Sequence, residues 1–330
     1  MLIRKLRFYW EYSVKNSAWL PMVGILFVFA CSAASFAEDV DSIQAANKLA
    51  HATGRPIIVV GGLESCAHCK ALKKELDKNA AVAPLAAQFV ELDMDVESAM
   101  WKNWTKKYKA KAGGTPYFFI VRADGELLYK QSGPIAAGPL ANLLKTQLAA
   151  SGTLLSHEQL SLLQTIVAET GKALEAGDEA TAARHLAPLH KLNPPGKLGS
   201  YATAATQAED LYTSLVQRGK QSFEQGKQKL AGGDPFVGGL GIVSASRAFG
   251  SFPALKEESA TALRELKSTP EFAELLPAAE ALDKALALTV QKSPQAAKNA
   301  EQQLRQILEK YPNSPAAAIA RTKLPAQPAP

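Results

Sequence analysis

The sequence predicts an α/β domain with a mixed sheet in its first half and an all-α domain in its second half. Between residues 38 and 151, short runs rich in β-branched residues alternate with segments whose apolar residues recur at helical spacing. After residue 151 the β-type runs stop and only the helical period remains. A chain of 330 residues is long enough for two domains. We therefore place a boundary after residue 151, where the pattern changes.

Eight elements follow one another between residues 38 and 151. SIQAANKLAHATG has helical spacing and ends at Gly54, a natural C-cap, while RPIIVVGG is a continuous apolar run typical of a strand buried on both faces. CKALKKELDKN predicts a helix, QFVELDMDV a strand and SAMWKNWTKKYKA a further helix. PYFFIV and LLYKQ predict a hairpin around Asp124–Gly125, and PLANLLKTQLAA a closing helix. This order favours a mixed sheet covered by helices on both faces.

Residues 152–324 are predicted to form an α-helical domain. The segment AEQQLRQILEKYPNSPAAAIARTKL resembles a tetratricopeptide repeat, with an amphipathic helix, a Tyr-Pro turn and an alanine-rich second helix. No strict period of about 34 residues runs through the region, so we expect an irregular, tetratricopeptide-like domain that binds a protein partner. The tail PAQPAP, residues 325–330, is predicted to be disordered.

The first 37 residues have the pattern of an export signal. A basic start, MLIRKLR, precedes a stretch without charge, and Ser35 and Ala37 are small residues in the arrangement that a signal peptidase cleaves. We therefore expect export to the periplasm or cell envelope. A charge-free span of 20 residues also suffices to cross a bilayer, so a membrane anchor over residues 18–37 is the alternative.

The charge balance does not point to nucleic acid. Residues 1–37 contribute +3 of the formal net charge of +6, and the rest of the chain carries 33 basic and 30 acidic residues. The run KKYKAK at residues 106–111 is typical of the solvated face of a helix. We therefore expect no nucleic-acid partner.

Export would leave Cys66 and Cys69 as the cysteines of the mature chain, since the third, Cys31, lies in the signal. A bridge that closes so small a loop constrains the unfolded chain little, so a purely structural disulfide would add little stability. A zinc site needs about four ligands and no second pair supplies them. Haem attachment would need a histidine where Lys70 stands. We favour a redox pair and expect no metal and no other cofactor.

The predicted position of the pair gives each cysteine a role. Cys66 would lie at the N-terminus of a helix, where unpaired N–H groups and the positive end of the helix dipole stabilise a thiolate. That thiolate can attack a substrate disulfide. Cys69, one turn later, is close enough to attack the mixed disulfide and release the product.

Three motifs occur in a fixed order along residues 39–150. SCAHCK follows a strand, GGTPYFFIV comes later, and DGELLYKQSGPIAAGPLANLL supplies a hairpin, Gly133 and a closing helix. Together these motifs resemble the thioredoxin superfamily over about a third of the chain. The resemblance implies a thioredoxin-like fold and exchange with protein thiols and disulfides, including those of a membrane redox partner. It also implies a cis bond between Thr115 and Pro116 that faces the disulfide and aligns the substrate backbone.

Four positions depart from the family pattern. Ser65 replaces the usual tryptophan before the first cysteine, and Val60 stands where many thioredoxins carry a buried acid that assists the reduction of substrates. Ala67 and His68 replace Gly-Pro between the cysteines, which is similar to protein disulfide isomerases and periplasmic disulfide oxidases. An imidazole at residue 68 would stabilise the Cys66 thiolate and make the disulfide more oxidising.

The predicted function is an exported thiol–disulfide oxidoreductase. Cys66 is the attacking thiolate, Cys69 the resolving thiol, His68 a tuner of the thiolate, and Pro116 with Thr115 the platform for the substrate. The alternative is a helical interaction protein whose thioredoxin-like domain is only structural. Alkylation of Cys66 at a pH well below that of a free thiol would separate the two hypotheses.

Overall fold

The computed structural model describes residues 40–110, 113–291 and 293–324. The predicted signal peptide or anchor (residues 1–37) and the predicted disordered tail (residues 325–330) lie outside the described residues, and both stay predictions. No helix in the described part of the chain is long and apolar enough to span a membrane.

The predicted fold class is confirmed, because a mixed sheet flanked by helices is followed by helices alone in the described ranges. The strands are β1 (Ile57–Gly62), β2 (Val90–Asp95), β3 (Tyr117–Val121) and β4 (Leu127–Ser132). The helices among and after them are α1 (Ile43–Thr53), α2 (Ala67–Lys78), α3 (Ala83–Ala86), α4 (Ala99–Lys107) and α5 (Ala137–Ala150). The later helices are α6 (His157–Glu175), α7 (Glu179–Leu186), a 3₁₀ helix (Ala187–Lys191), α8 (Thr203–Ala231), α9 (Pro235–Phe249), α10 (Lys256–Lys267), α11 (Pro270–Ala273), α12 (Leu276–Thr289), α13 (Pro294–Lys310) and α14 (Pro315–Lys323).

β1 is a central strand of the sheet, whose strand order is β2-β1-β3-β4. It pairs parallel with β2, with Ile57 opposite Val90, and antiparallel with β3, with Gly61 opposite Tyr117. β3 and β4 form the antiparallel hairpin predicted around Asp124–Gly125. Because β1 has a partner on each side, its backbone groups are hydrogen-bonded even though the strand is almost wholly buried.

Each face of the sheet carries its own apolar core, because successive strand residues point to opposite faces. On one face, Ile57 and Val59 of β1 pack against α1 and α4, where Trp101, Trp104 and Tyr108 are buried. The opposite face packs against α2 and α5. Its buried residues include Ile58, Val60, Leu72, Leu76, Phe89, Phe118, Ile120, Leu140 and Leu144. Each large apolar side chain buried in this way contributes about 1.5–3 kcal/mol of transfer free energy.

The ends of α1 follow from its sequence. The Ser42 side chain caps the first turn by accepting a hydrogen bond from the Ala45 N–H at 3.2 Å. At the other end Gly54 adopts a φ of 75°, the left-handed conformation that favours glycine, and its N–H donates to the Ala50 carbonyl. The predicted C-cap is therefore confirmed. The short helix α3 was missed, because four residues are too few to show a helical period.

The chain divides into two compact units. The first contains the described residues up to Leu163 and a return segment, Leu198–Thr206. The second contains Gln164–Lys197 and the described residues from Gln207 onward. The helical character of the chain after residue 151 is confirmed, whereas the boundary at residue 151 and the tetratricopeptide-like arrangement stay predictions.

The return segment, Leu198–Thr206, completes the first unit. Thr203 Oγ1 donates a hydrogen bond to the His51 carbonyl at 3.0 Å. Tyr201 packs against the core beneath α1 and α4, and the guanidinium carbon of Arg122 lies 4.1 Å from the centre of its ring. A cation at this distance from an aromatic face is attracted to it. Nothing in the sequence indicated that residues so far along the chain contribute to this unit.

Replacing Tyr201 with alanine should lower the free energy of unfolding of the first unit by about 2 kcal/mol, because ring packing and the Arg122 interaction are both lost. In a chain that starts at residue 38, Trp101 and Trp104 are the remaining tryptophans, so their fluorescence during urea unfolding follows this unit. Tyr311→Ala, in the second unit, is the control and should leave the transition in place. An unchanged midpoint for Tyr201→Ala would contradict the role of the return segment.

Candidate active site

The turn between β1 and α2 places Cys66 at the N-cap of α2. The Cys66 sulfur accepts a hydrogen bond from the Cys69 N–H at 3.1 Å. The Cys66 N–H donates to the Leu63 carbonyl at 3.0 Å, which closes the turn. The sulfur therefore lies at the unpaired N–H groups of the helix, where a negative charge is stabilised.

Cys66 and Cys69 form a disulfide, with their Cα atoms 5.3 Å apart. Cys66 is half-buried, whereas Cys69 is only 9% exposed. A disulfide or thiol that arrives from solvent therefore meets the Cys66 sulfur first. The geometry provides an accessible sulfur and a buried one, while the roles assigned to them in exchange stay predictions.

Two glycines at the end of β1 make room for neighbours of the disulfide. A Cβ atom on Gly62 would lie 2.7 Å from the Cys69 sulfur, and one on Gly61 would overlap the Trp101 ring. Any larger residue at either position would displace a buried side chain. The sequence pattern predicted this Gly-Gly pair only as the end of a strand. Adjacent glycines at the end of a strand are themselves a signal of close approach.

Thr115 and Pro116 lie at the same end of the sheet as the disulfide. Their peptide bond is cis, as predicted. Pro116 directly precedes Tyr117, which pairs with Gly61, so the proline lies beside the end of β1. Pro116 is buried and Thr115 half-buried. The Pro116 carbonyl accepts a hydrogen bond from the Gly133 N–H at 2.8 Å, which joins this loop to the residue after β4.

Two of the departures from the thioredoxin pattern, His68 and Val60, differ in their surroundings. His68 is exposed in the first turn of α2, so any effect of its imidazole on the Cys66 sulfur is partly screened by solvent. Val60 is 8% exposed and packs with the apolar residues between the sheet and α2. The place where the family's buried acid would lie is therefore filled by an apolar side chain.

Charged side chains of α2 interact with those of the neighbouring strand β2. Lys73, one turn after Cys69, pairs with Asp93, and the hydrogen bond between them raises the pKa of Lys73. Partial burial, together with the negative charges of Asp77 and Asp93, raises the pKa of the Glu91 carboxyl. Both partners of the Lys73–Asp93 pair are 56% exposed, so this ion pair adds little to stability.

Residues 43–148 match the family model described as a thioredoxin-like domain. The chain contains a thioredoxin-like domain. The matched range includes both cysteines, His68 and the Thr115–Pro116 bond. No significant match was found among curated proteins.

Two solved structures that resemble the chain are a thioredoxin from Thermus thermophilus and a disulphide isomerase from Xylella fastidiosa Temecula1. The thioredoxin is 23% identical in sequence, and the alignment covers 34% of this chain and 87% of the thioredoxin with a TM-score of 0.30. The isomerase is 19% identical, and the alignment covers 38% of this chain and 99% of the isomerase with a TM-score of 0.28.

Replacing Gly62 with alanine should lower the free energy of unfolding of the oxidised protein by about 1–3 kcal/mol, because the new Cβ presses on a sulfur that is buried and bonded to Cys66. Gly114→Ala is the matched control, since a Cβ there would meet no atom within 4 Å. Urea unfolding of both oxidised variants measures the difference. Equal stability of the two variants would show that the space at Gly62 is not required.

Proposed function

We propose that this protein is an exported thiol–disulfide oxidoreductase that exchanges disulfides with protein substrates through Cys66 and Cys69. The observation that carries the proposal is the asymmetry of the pair. Cys66 presents a half-buried sulfur at a helix N-cap, and Cys69 is buried behind it. A purely structural bridge has no need of an accessible sulfur at a helix N-terminus, whereas exchange requires one.

In the reductive direction, the Cys66 thiolate attacks one sulfur of a substrate disulfide. The substrate S–S bond breaks, a bond from Cys66 to the substrate forms, and one substrate thiolate leaves. Cys69 then loses its proton and attacks the Cys66 sulfur, which releases the second substrate thiolate and forms the Cys66–Cys69 disulfide. The substrate gains two electrons and the pair loses two. Oxidation of a dithiol substrate is the same sequence in reverse.

Thr115 and Pro116 are proposed to bind the substrate backbone during exchange. The Gly133 hydrogen bond to the Pro116 carbonyl holds the loop at the sheet end where the disulfide lies. A proline has no N–H of its own, so the backbone N–H and carbonyl of Thr115 are the groups through which this loop would pair with an extended substrate. The partly exposed surface of Thr115 supports this role.

We propose that the pair works mainly as an oxidant or isomerase. The apolar side chain of Val60 occupies the position of the carboxylate that would assist proton transfer during substrate reduction. His68, at the first turn of α2, favours the thiolate of Cys66 and with it the reduced form of the pair. Both features favour electron flow into the pair.

Export, the partners and the role of the helical unit are parts of the same proposal. The signal pattern of residues 1–37 supports a periplasmic or cell-envelope location, with an anchor at residues 18–37 as the alternative. In an oxidising compartment a protein or membrane redox partner would return the pair to its working state. The helical unit would bind a protein partner, and no cofactor other than the disulfide is proposed.

Replacing Cys69 with alanine should trap mixed disulfides between Cys66 and substrate proteins, because attack still occurs and resolution does not. Replacing Cys66 with alanine should trap none. Non-reducing electrophoresis of each variant after reaction with a disulfide-containing protein measures the trapped species. Equal trapping by both variants, or by neither, would contradict the assigned roles.

Replacing His68 with glutamine should make the reduction potential more negative by about 10–20 mV, because an exposed imidazole near a helix N-terminus exerts a small, screened effect. Equilibration with glutathione buffers measures the potential. Lys78→Gln, which removes a charge in the last turn of the same helix, is the control and should leave the potential unchanged. A potential unmoved by His68→Gln would remove the tuning role from His68.

A further inference from the structure

The second compact unit contains a cavity of about 420 Å³ between α7, α8, α9 and α12. Pockets that hold small ligands usually measure about 300–1,000 Å³, so the space suits a compact molecule. The glycine-rich segment GGDPFVGGLGIVSASRAFG contains α9 and supplies one wall. None of the lining residues belongs to the thioredoxin-like domain.

Arg247 is a cation held in one orientation at this cavity. Its Nε donates to one carboxylate oxygen of Asp283 at 2.7 Å, and Ser244 Oγ donates to the other at 2.6 Å. Asp283 is only 3% exposed, so a buried, fully hydrogen-bonded carboxylate fixes the guanidinium. The two Nη groups of Arg247 donate to no residue that the structure describes. They offer the fork of N–H donors that suits a carboxylate.

The other acidic side chains of the cavity already have partners. Both carboxylate oxygens of Asp178 accept hydrogen bonds from Thr181, and Glu179 pairs with Arg218 at 3.5 Å. Lys229 is a second cation in the lining and forms no ion pair with any described residue. Among the described residues, the charged groups of the cavity that have no hydrogen-bond or ion-pair partner are therefore cationic: Lys229 and the two Nη groups of Arg247.

Part of the wall is apolar and part is lined by neutral polar side chains. Val237, Leu286 and Val290 line the cavity together with alanines of α9 and α12. Val290 is 46% exposed, which is unusual for a large apolar residue in the described ranges of this chain. On the floor, a Cβ atom on Gly241 would lie 3.6 Å from the Gly226 Cα, so the two helices approach closely there. Apolar side chains beside the two Nη groups of Arg247 match a molecule with an apolar body and one negative end.

We propose that this cavity binds a small aliphatic monocarboxylate of the medium-chain fatty-acid class. The carboxylate accepts hydrogen bonds from the two Nη groups of Arg247, with Lys229 as the second positive charge. The alkyl chain lies against Val237, Leu286 and Val290 and covers the exposed part of Val290. The bound acid places a ligand site in the helical unit, which is independent of the redox reaction at Cys66.

The test is isothermal titration calorimetry of the full chain with sodium octanoate. Two control ligands are titrated in the same way: 1-octanol has the same alkyl chain without the charge, and acetate has the charge without the alkyl chain. Octanoate should bind with a Kd of about 0.1–1 mM, and neither control should bind measurably. Arg247→Gln should weaken octanoate binding at least tenfold, because a charge-assisted hydrogen bond is lost. Arg247→Lys keeps the charge but not the paired N–H donors, so its affinity for octanoate should lie between those of the unchanged chain and of Arg247→Gln.

Arg264→Gln, which removes an exposed arginine of α10, is the matched control and should bind octanoate like the unchanged chain. Circular dichroism of each variant verifies that the helices are intact. The proposal is overturned if octanoate shows no saturable binding up to about 10 mM, or if Arg247→Gln and Arg264→Gln bind it equally. Equal affinity for octanoate and 1-octanol would also overturn the proposal, because the cavity would then bind the alkyl chain without recognising the carboxylate.

Discussion

β1 is buried on both faces and hydrogen-bonded to a strand on each side, and the geometry around the Cys66–Cys69 disulfide depends on where this strand ends. Its last two residues, Gly61 and Gly62, keep the pairing with β2 while leaving space above and below the sheet. Trp101 fills one space and the Cys69 sulfur fills the other. Because β1 is fixed on four sides, it gives the disulfide a rigid base, which a surface loop could not provide.

The helical period of α2 then gives the two cysteines different environments. Cys69, Leu72 and Leu76 form one buried stripe, so the second cysteine faces the sheet. Cys66 precedes the first helical residue and remains at the surface, beside N–H groups that have no partner within the helix. The spacing of two intervening residues is what allows one sulfur to be buried while the other is accessible. Chemistry at the pair is therefore a consequence of how an amphipathic helix packs on a sheet.

Local patterns allowed most of the sheet-containing unit to be predicted. The continuous apolar run of β1, the Asp124–Gly125 turn and the Gly54 cap are short-range signals, and each predicts its element correctly. The cis bond before Pro116 was predicted from the resemblance, not from any local pattern. Two features depend on residues that are distant in sequence, so no local pattern predicts them. They are the space at Gly61 and Gly62 and the contact between Arg122 and Tyr201. The buried Asp283 with Arg247 was missed for the same reason, because a charged residue in an amphipathic helix normally indicates the solvent face.

The return of Leu198–Thr206 to the first unit affects the order in which this chain can mature. The polypeptide passes from the first unit to the second after Leu163 and returns to the first unit after Lys197. It enters the second unit again after Thr206. Both cysteines leave the ribosome, and would leave an export channel, long before Tyr201 does. During that interval the thioredoxin-like domain lacks part of the cover over its core beneath α1 and α4. The disulfide can thus form in a domain that is still incomplete, and no single proteolytic cut releases that domain with all of its packing.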